Sequence, residues 1–127
     1  MKLNGVSKAV LDCAFKVQTA LGPGLLESVY EAILAYELLK HGLAIARQVA
    51  VQVRYEALKF DEGHRIDLLV EHLVIAELKS VEHLAPVHSK QLLTQLRRSG
   101  RQVGLLINFG EVHLKQGISR IVNNYSE

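Results

Sequence analysis

Apolar residues recur three or four positions apart at Val10, Cys13, Ala14, Val17 and Leu21. That is the spacing of one helix face, and it predicts a helix from Ser7 to Leu21 with Ser7 as its N-cap. Gly22-Pro23-Gly24 stops it. A second helix is predicted through Lys40, with Leu25, Val29, Ala32, Ile33, Tyr36 and Leu39 as its apolar stripe and His41-Gly42 as its end. After Gly42 the period falls to two. Val49, Val51, Val53 and Tyr55 alternate with Ala50, Gln52, Arg54 and Glu56, as in a half-buried strand.

Asp61-Glu62-Gly63 reads as a turn, and 65–71 and 73–81 as two further strands joined by a tight turn at Glu71-His72. Their near-continuous apolar character marks central strands covered on both faces. Pro86 suits the first turn of a third helix that runs to Ser99 and is closed by Gly100. A fourth apolar strand is predicted over 103–109, and the segment 112–125 is expected to be helical in part. The order helix, helix, three strands, helix, strand, helix describes an α/β domain with helices on a mixed four-stranded sheet.

Composition narrows the class. With 127 residues and 49% hydrophobic composition, one domain spanning 1–127 can bury its own core. Cys13 is the only cysteine, so no internal disulfide forms and a reducing compartment is expected. The N-terminus lacks the apolar stretch of a signal peptide, and no apolar run approaches the ~20 residues of a membrane span. A cytoplasmic protein with no membrane association is the expectation. A formal charge of +2 accommodates a nucleic-acid partner without requiring one.

The candidate chemistry lies in the central strands. Asp67 interrupts Arg65-Ile66-Asp67-Leu68-Leu69-Val70, and Glu77 and Lys79 interrupt Leu73-Val74-Ile75-Ala76-Glu77-Leu78-Lys79. A carboxylate buried without a partner costs several kcal/mol or takes up a proton, so these acids must be paired, bound to a metal or set at a cleft. Glu77 and Lys79 leave one face of their strand and Leu78 the other. A hairpin turning at Glu71-His72 brings Asp67 opposite or diagonal to Glu77.

Two readings follow. In one, Lys79 forms a structural salt bridge with an acid. In the other, the two carboxylates, a main-chain carbonyl and water make the oxygen-rich set that Mg²⁺ or Mn²⁺ prefers, with the ammonium beside it. The six histidines lack the paired spacing of a zinc site and read as surface or turn residues. Lys90, Arg97, Arg98 and Arg101 form a basic stretch along and past the third helix, either a solvated face or a phosphate track.

Gly24-Leu25-Leu26-Glu27-Ser28-Val29-Tyr30, Asp67, Glu77-Leu78-Lys79, Gln91-Leu92-Leu93 and Gly104-Leu105-Leu106-Ile107-Asn108-Phe109-Gly110 together resemble the GxxExxY proteins. Those proteins lie within the PD-(D/E)XK nuclease superfamily, and the resemblance covers about residues 4 to 124. It implies a restriction-endonuclease-like core and an Mg²⁺-dependent (or Mn²⁺-dependent) nuclease in which a metal-activated water hydrolyses phosphodiesters, of DNA more than RNA.

By position, the resemblance makes Asp67, Glu77 and the Leu78 carbonyl the metal ligands and Lys79 the group that stabilises charge on phosphorus. It makes Glu27 a supporting acid and Gln91 a substrate-holding or lysine-holding residue. Tyr30 is expected to pack and Glu31 to be solvated, while Asn108 and Gly110 shape the strand exit. Relatives carry histidine at Gln18 and tyrosine at Gln95, and the second difference removes an aromatic platform for a base or sugar. The other class of function is a catalytically silent binding module on the same fold, acting as a homodimer or as an accessory to a protein partner that supplies targeting.

Overall fold

The structure, a computed structural model, describes residues 1–125. Its elements run α1 (Leu3–Leu21), α2 (Glu27–Lys40), β1 (Ile45–Tyr55), β2 (Leu58–Val70), β3 (Val74–Lys79), α3 (Pro86–Ser99), β4 (Val103–Asn108), a 3-10 turn (Leu114–Gly117) and β5 (Ile118–Val122). The strands form one sheet in the order β1-β2-β3-β4-β5. β3 and β4 are parallel and the other neighbours antiparallel. This is the mixed α/β, restriction-endonuclease-like architecture expected, with five strands rather than four.

The sheet is covered on both faces. α1 and α2 pack over Leu68, Val70, Val74, Ala76, Leu78, Val103, Leu105 and Ile107. On the other face α3 contributes Leu92 and Leu96, which meet Ile66, Leu69, Ile75 and Leu106. A Cβ at Gly104 would lie 2.9 Å from a Leu92 methyl, so this glycine lets α3 sit close on β4. Each layer therefore removes one strand face from water, which explains why β3 and β4 are apolar apart from Glu77, Lys79 and Asn108.

Several boundaries differ from the periodicity reading. α1 begins at Leu3 with Lys2 at the N-cap position, and Ser7 is buried inside the helix. Asp61-Glu62-Gly63 lies within β2, and the chain reverses instead at Glu56-Ala57, where Glu56 takes φ 51. The β1–β2 register shifts between Val51 and Val53, and a Cβ at Gly63 would lie 2.0 Å from Val53 Cγ2. The glycine thus serves a strand irregularity rather than a turn.

The turn at Glu71-His72 is as expected, with both residues at positive φ, and Val70 pairs with Val74 across it. Beyond β4 the expected helix is replaced by the 3-10 turn and β5, which completes the edge of β4. A Cβ at Gly117 would lie 2.7 Å from the Asn108 carbonyl oxygen, so this glycine marks a close backbone approach.

The largest correction concerns α2. Its buried residues are Tyr30, Glu31, Leu34, Ala35, Glu37 and Leu38. Of the stripe expected to face the core, Leu25, Val29, Ala32, Tyr36 and Leu39 are exposed, and Ile33 alone is half-buried against it. The helix is apolar on two sides, and the inward choice follows partners from elsewhere in the chain. Lys16 and Lys40 pair with Glu37, and Arg47 pairs with Glu31.

Candidate active site at the β2–β3 hairpin

Register counting through Val70↔Val74, Leu69↔Ile75 and Leu68↔Ala76 sets Asp67 across from Glu77 one step further on. There the backbone ladder ends and a side chain takes over. Asp67 Oδ2 accepts the Leu78 amide at 2.9 Å, a charge-assisted bond that fixes the carboxylate between the two strands. On the other side, β1 omits Gln48 from its pairing with β2 and holds it at φ 53. The Gln48 amide donates to Glu31 Oε1 and lies 3.5 Å from Asp67 Oδ1. Glu31, expected in solvent, is buried and also accepts Arg47 Nε at 3.1 Å.

Glu77 and Lys79 share the face of Ile75, beneath α3, while Leu78 enters the opposite core. Glu77 is 9% exposed. Gln95 Nε2 donates to its Oε2 at 2.9 Å, and Asp67 stands across from it in the strand register. Burial, then the hydrogen bond and negative charge of Asp67, push Glu77 up to about 8, against smaller opposing effects of Gln95 and Lys79. Two carboxyls this close cannot both ionise cheaply without a cation between them. Among the described residues, no ion pair involves Asp67, Glu77 or Lys79. The salt-bridge reading therefore has no contact behind it.

The loop ahead of α2 is tied to the same end of the sheet. Tyr30 stacks on Phe109 with ring centroids 4.5 Å apart. Its hydroxyl donates to the Gly22 carbonyl at 2.5 Å and accepts the Leu25 amide at 3.2 Å. Ser80 Oγ donates to the Leu25 carbonyl at 2.6 Å, and Gln18 donates to the Glu111 and Val112 carbonyls. Glu27, first residue of α2, is thereby held near the end of β3. Asn108 clamps Val81 through both its amide and its carbonyl. A Cβ at Gly110 would lie 2.1 Å from the Val81 oxygen, so the strand exit is shaped as expected.

Two clefts flank the carboxylate pair. One, of about 630 Å³, lies between α3 and the β1–β2 hairpin and is lined by Glu77, Lys79, Lys90, Gln91, Thr94, Gln95 and Arg98, with Val53, Gly63, His64 and Arg65 opposite. The other, of about 410 Å³, is lined by Glu27, Ser28, Glu31, Arg47, Gln48 and Asp67. Gln91 thus shares a cleft with Glu77 and Lys79, and Glu27 shares one with Asp67. Lys90, Thr94 and Arg98 recur every four residues and form one edge of α3 along the larger cleft. His64 also lines it, within β2 rather than a turn. Burial, then Arg98, hold its imidazole below the usual range, so it is neutral.

Gln95 is the residue that the sequence reading undervalued. It is 8% exposed and touches a candidate ligand directly. Its spacing of i,i+4 from Gln91 was the available signal.

The donor set suits a hard divalent cation. Among the described residues, no group of three or more His, Cys, Asp or Glu side chains converges. Asp67 and Glu77 would supply the side-chain oxygens, leaving a main-chain carbonyl such as that of Leu78, and solvent, to complete the shell. Mg²⁺ is commonly bound this way, through one or two carboxylates with several waters retained. Among the described residues, no helix is long and apolar enough to cross a membrane.

A sequence model of the PD-(D/E)XK nuclease superfamily matches residues 4–121. Comparison with curated proteins and with solved structures returns no match.

Proposed function

The chain belongs to the PD-(D/E)XK nuclease superfamily, and on that basis we propose that it hydrolyses phosphodiester bonds of nucleic acid, DNA foremost, with Mg²⁺ or Mn²⁺ at Asp67 and Glu77. The observation that carries this reading is the carboxyl pair itself, Glu77 buried and Asp67 half-buried across from it, without an ion pair to lysine among the described residues and opening onto two clefts. When bound, the ion would lower the pKa of an attacking water and neutralise charge developing on phosphorus.

The protein's own groups have distinct tasks in this reading. Asp67 is fixed by the Leu78 amide, which leaves Oδ1 to face a ligand. Gln95 holds Oε2 of Glu77 and so orients its carboxyl as an outer partner. Lys79, unpaired on the same strand face, places its ammonium against the non-bridging oxygens of the phosphate and stabilises the charge that grows there. Gln91 holds substrate from the adjoining helix, and Glu27 approaches from the Asp67 side as a supporting acid. Lys90 and Arg98 follow the backbone beyond the scissile phosphate. A single in-line displacement inverts the configuration at phosphorus.

The test is cleavage of end-labelled single-stranded and duplex DNA, and of RNA, with Mg²⁺ or Mn²⁺, by wild type, Asp67→Ala and Lys79→Ala. Ion-dependent cleavage reduced at least a hundredfold by each substitution is the expected outcome. Cleavage that survives both substitutions would belong to a contaminant. No cleavage of any substrate would favour a silent module on this fold.

A further inference from the structure

The outward face of α2 is the largest feature of the molecule that the proposed chemistry does not use. On it, Leu26 is 73% exposed, Tyr36 61% and Leu39 59%. Val29 and Ala32 are also exposed, and Ile33 is half-buried. Of the three glutamates of α2, Glu31 and Glu37 point inward, and Glu27, its first residue, is exposed. The outward face therefore carries no charge between Glu27 and Lys40. A helix lying on a monomer's surface ordinarily places its polar residues outward. Here the outward face is apolar as well as the inward one.

Side chains of these types at these exposures present roughly 500 Å² of contiguous apolar surface, the size at which a patch marks an interaction site. Their spacing names the occupant. Leu26 and Leu39, Val29 and Tyr36, and Ala32 and Ile33 are each symmetric about the midpoint between positions 32 and 33. That property suits an isologous contact, because in an antiparallel helix pair each position meets its mirror position across the two-fold axis and apolar residues then face one another. Two copies of α2 laid antiparallel would set Leu26 against Leu39 of the second copy and Val29 against its Tyr36. The Ala32–Ile33 step would fall on the axis, where the small alanine permits close approach. Opposed helix dipoles favour the same orientation. Complete burial of both patches would remove about 1,000 Å² from water, at the lower bound for a specific interface.

We propose that this face joins two copies of the chain as an antiparallel α2–α2 dimer. Glu27 lies off the stripe, on the side of Glu31, so the contact does not draw on the candidate site. Dimerisation and nuclease activity can therefore be tested separately.

The experiment is sedimentation velocity of the full chain over two decades of concentration, for wild type and Tyr36→Glu, with circular dichroism to confirm the fold of each. In parallel, Ala32→Cys is oxidised in the absence of reductant, with Lys8→Cys on α1 as control. Native Cys13 is 4% exposed and remains in both. Wild type should sediment as a dimer, and Tyr36→Glu should weaken association about thirtyfold or more. Ala32→Cys should form a covalent dimer far faster than Lys8→Cys. A wild type that stays monomeric throughout overturns the proposal and assigns the face to another occupant. So does a dimer that persists in Tyr36→Glu while Ala32→Cys fails to cross-link.

Discussion

Replacing Glu77 with glutamine should make the metal-free protein more stable at alkaline pH, although the substitution removes a candidate ligand. The folded protein holds Glu77 near 8 against an ordinary value of 4.5. Between those values the folded chain keeps a proton that the unfolded chain has released, so stability falls as pH rises through the interval. At about 1.36 kcal/mol per pKa unit, the penalty approaches about 5 kcal/mol well above pH 8, and about 3 kcal/mol of it develops between pH 5.5 and 8.5. Glutamine carries no charge and retains an oxygen for the Gln95 amide.

The assay is urea denaturation of chelator-treated wild type and Glu77→Gln at those two pH values. The half-buried imidazole of His64, held below its usual range, has the opposite slope, gaining stability as pH rises towards its unfolded pKa. That contribution is common to both proteins and cancels in the comparison. Wild type should lose about 3 kcal/mol relative to the variant across the interval. Mn²⁺ should restore the loss in wild type by binding the ionised pair, and should do little for Glu77→Gln. Parallel pH profiles for the two proteins would refute the coupling of burial and the Asp67 charge at this position.

Three further outcomes follow from named contacts. Gln95→Ala should weaken Mn²⁺ binding, read by electron paramagnetic resonance titration, about 10- to 100-fold, because an outer hydrogen bond orients Glu77; Gln95→Glu should weaken it further, and unchanged affinity in both would leave Gln95 a packing residue. Tyr30→Phe keeps the stack on Phe109 but removes the hydroxyl from the Gly22 carbonyl and Leu25 amide; thermal and urea unfolding should show a loss of about 1–3 kcal/mol, and no loss would mean the loop is held by other contacts. Lys90→Gln and Arg98→Gln should each lower DNA affinity in fluorescence anisotropy and reduce the magnitude of the log-log salt slope by about 1; an unchanged slope would leave these side chains a solvated helix face.

How far the sequence reached depends on where its information was local. The Glu71-His72 turn, Pro86 and Gly100 act through their own backbones, so the β2–β3 hairpin and α3 were legible. Counting outward from that turn also brought Asp67 to Glu77. α2 was misread because it carries two apolar stripes, and periodicity cannot choose between them. The choice lies with Arg47, Lys16 and the stacked Phe109, all remote in sequence.

Gly63, in a segment that reads as a turn, and Gly117, in one expected to be partly helical, differ from expectation for a related reason. Each is required by a neighbouring strand or loop, Val53 in one case and the Asn108 backbone in the other. The segment after β4 became a strand because that edge had open backbone groups to satisfy. In the sequence Gln95 reads as the loss of an aromatic ring, whereas its contact with Glu77 depends on how closely α3 sits on the sheet. That distance is set by Gly104 and Leu92.

The central claim is that Asp67 and Glu77 together form a divalent-ion site. Its most direct test is a crystal structure of the Mn²⁺-soaked protein, with anomalous differences measured at the manganese edge. The account predicts one strong peak about 2.0–2.2 Å from a carboxylate oxygen of each residue, with further oxygen ligands completing a near-octahedral shell. Lys79 should stand clear of the ion. A map with no peak between the two carboxyls, and with the Lys79 ammonium drawn onto them instead, would contradict it.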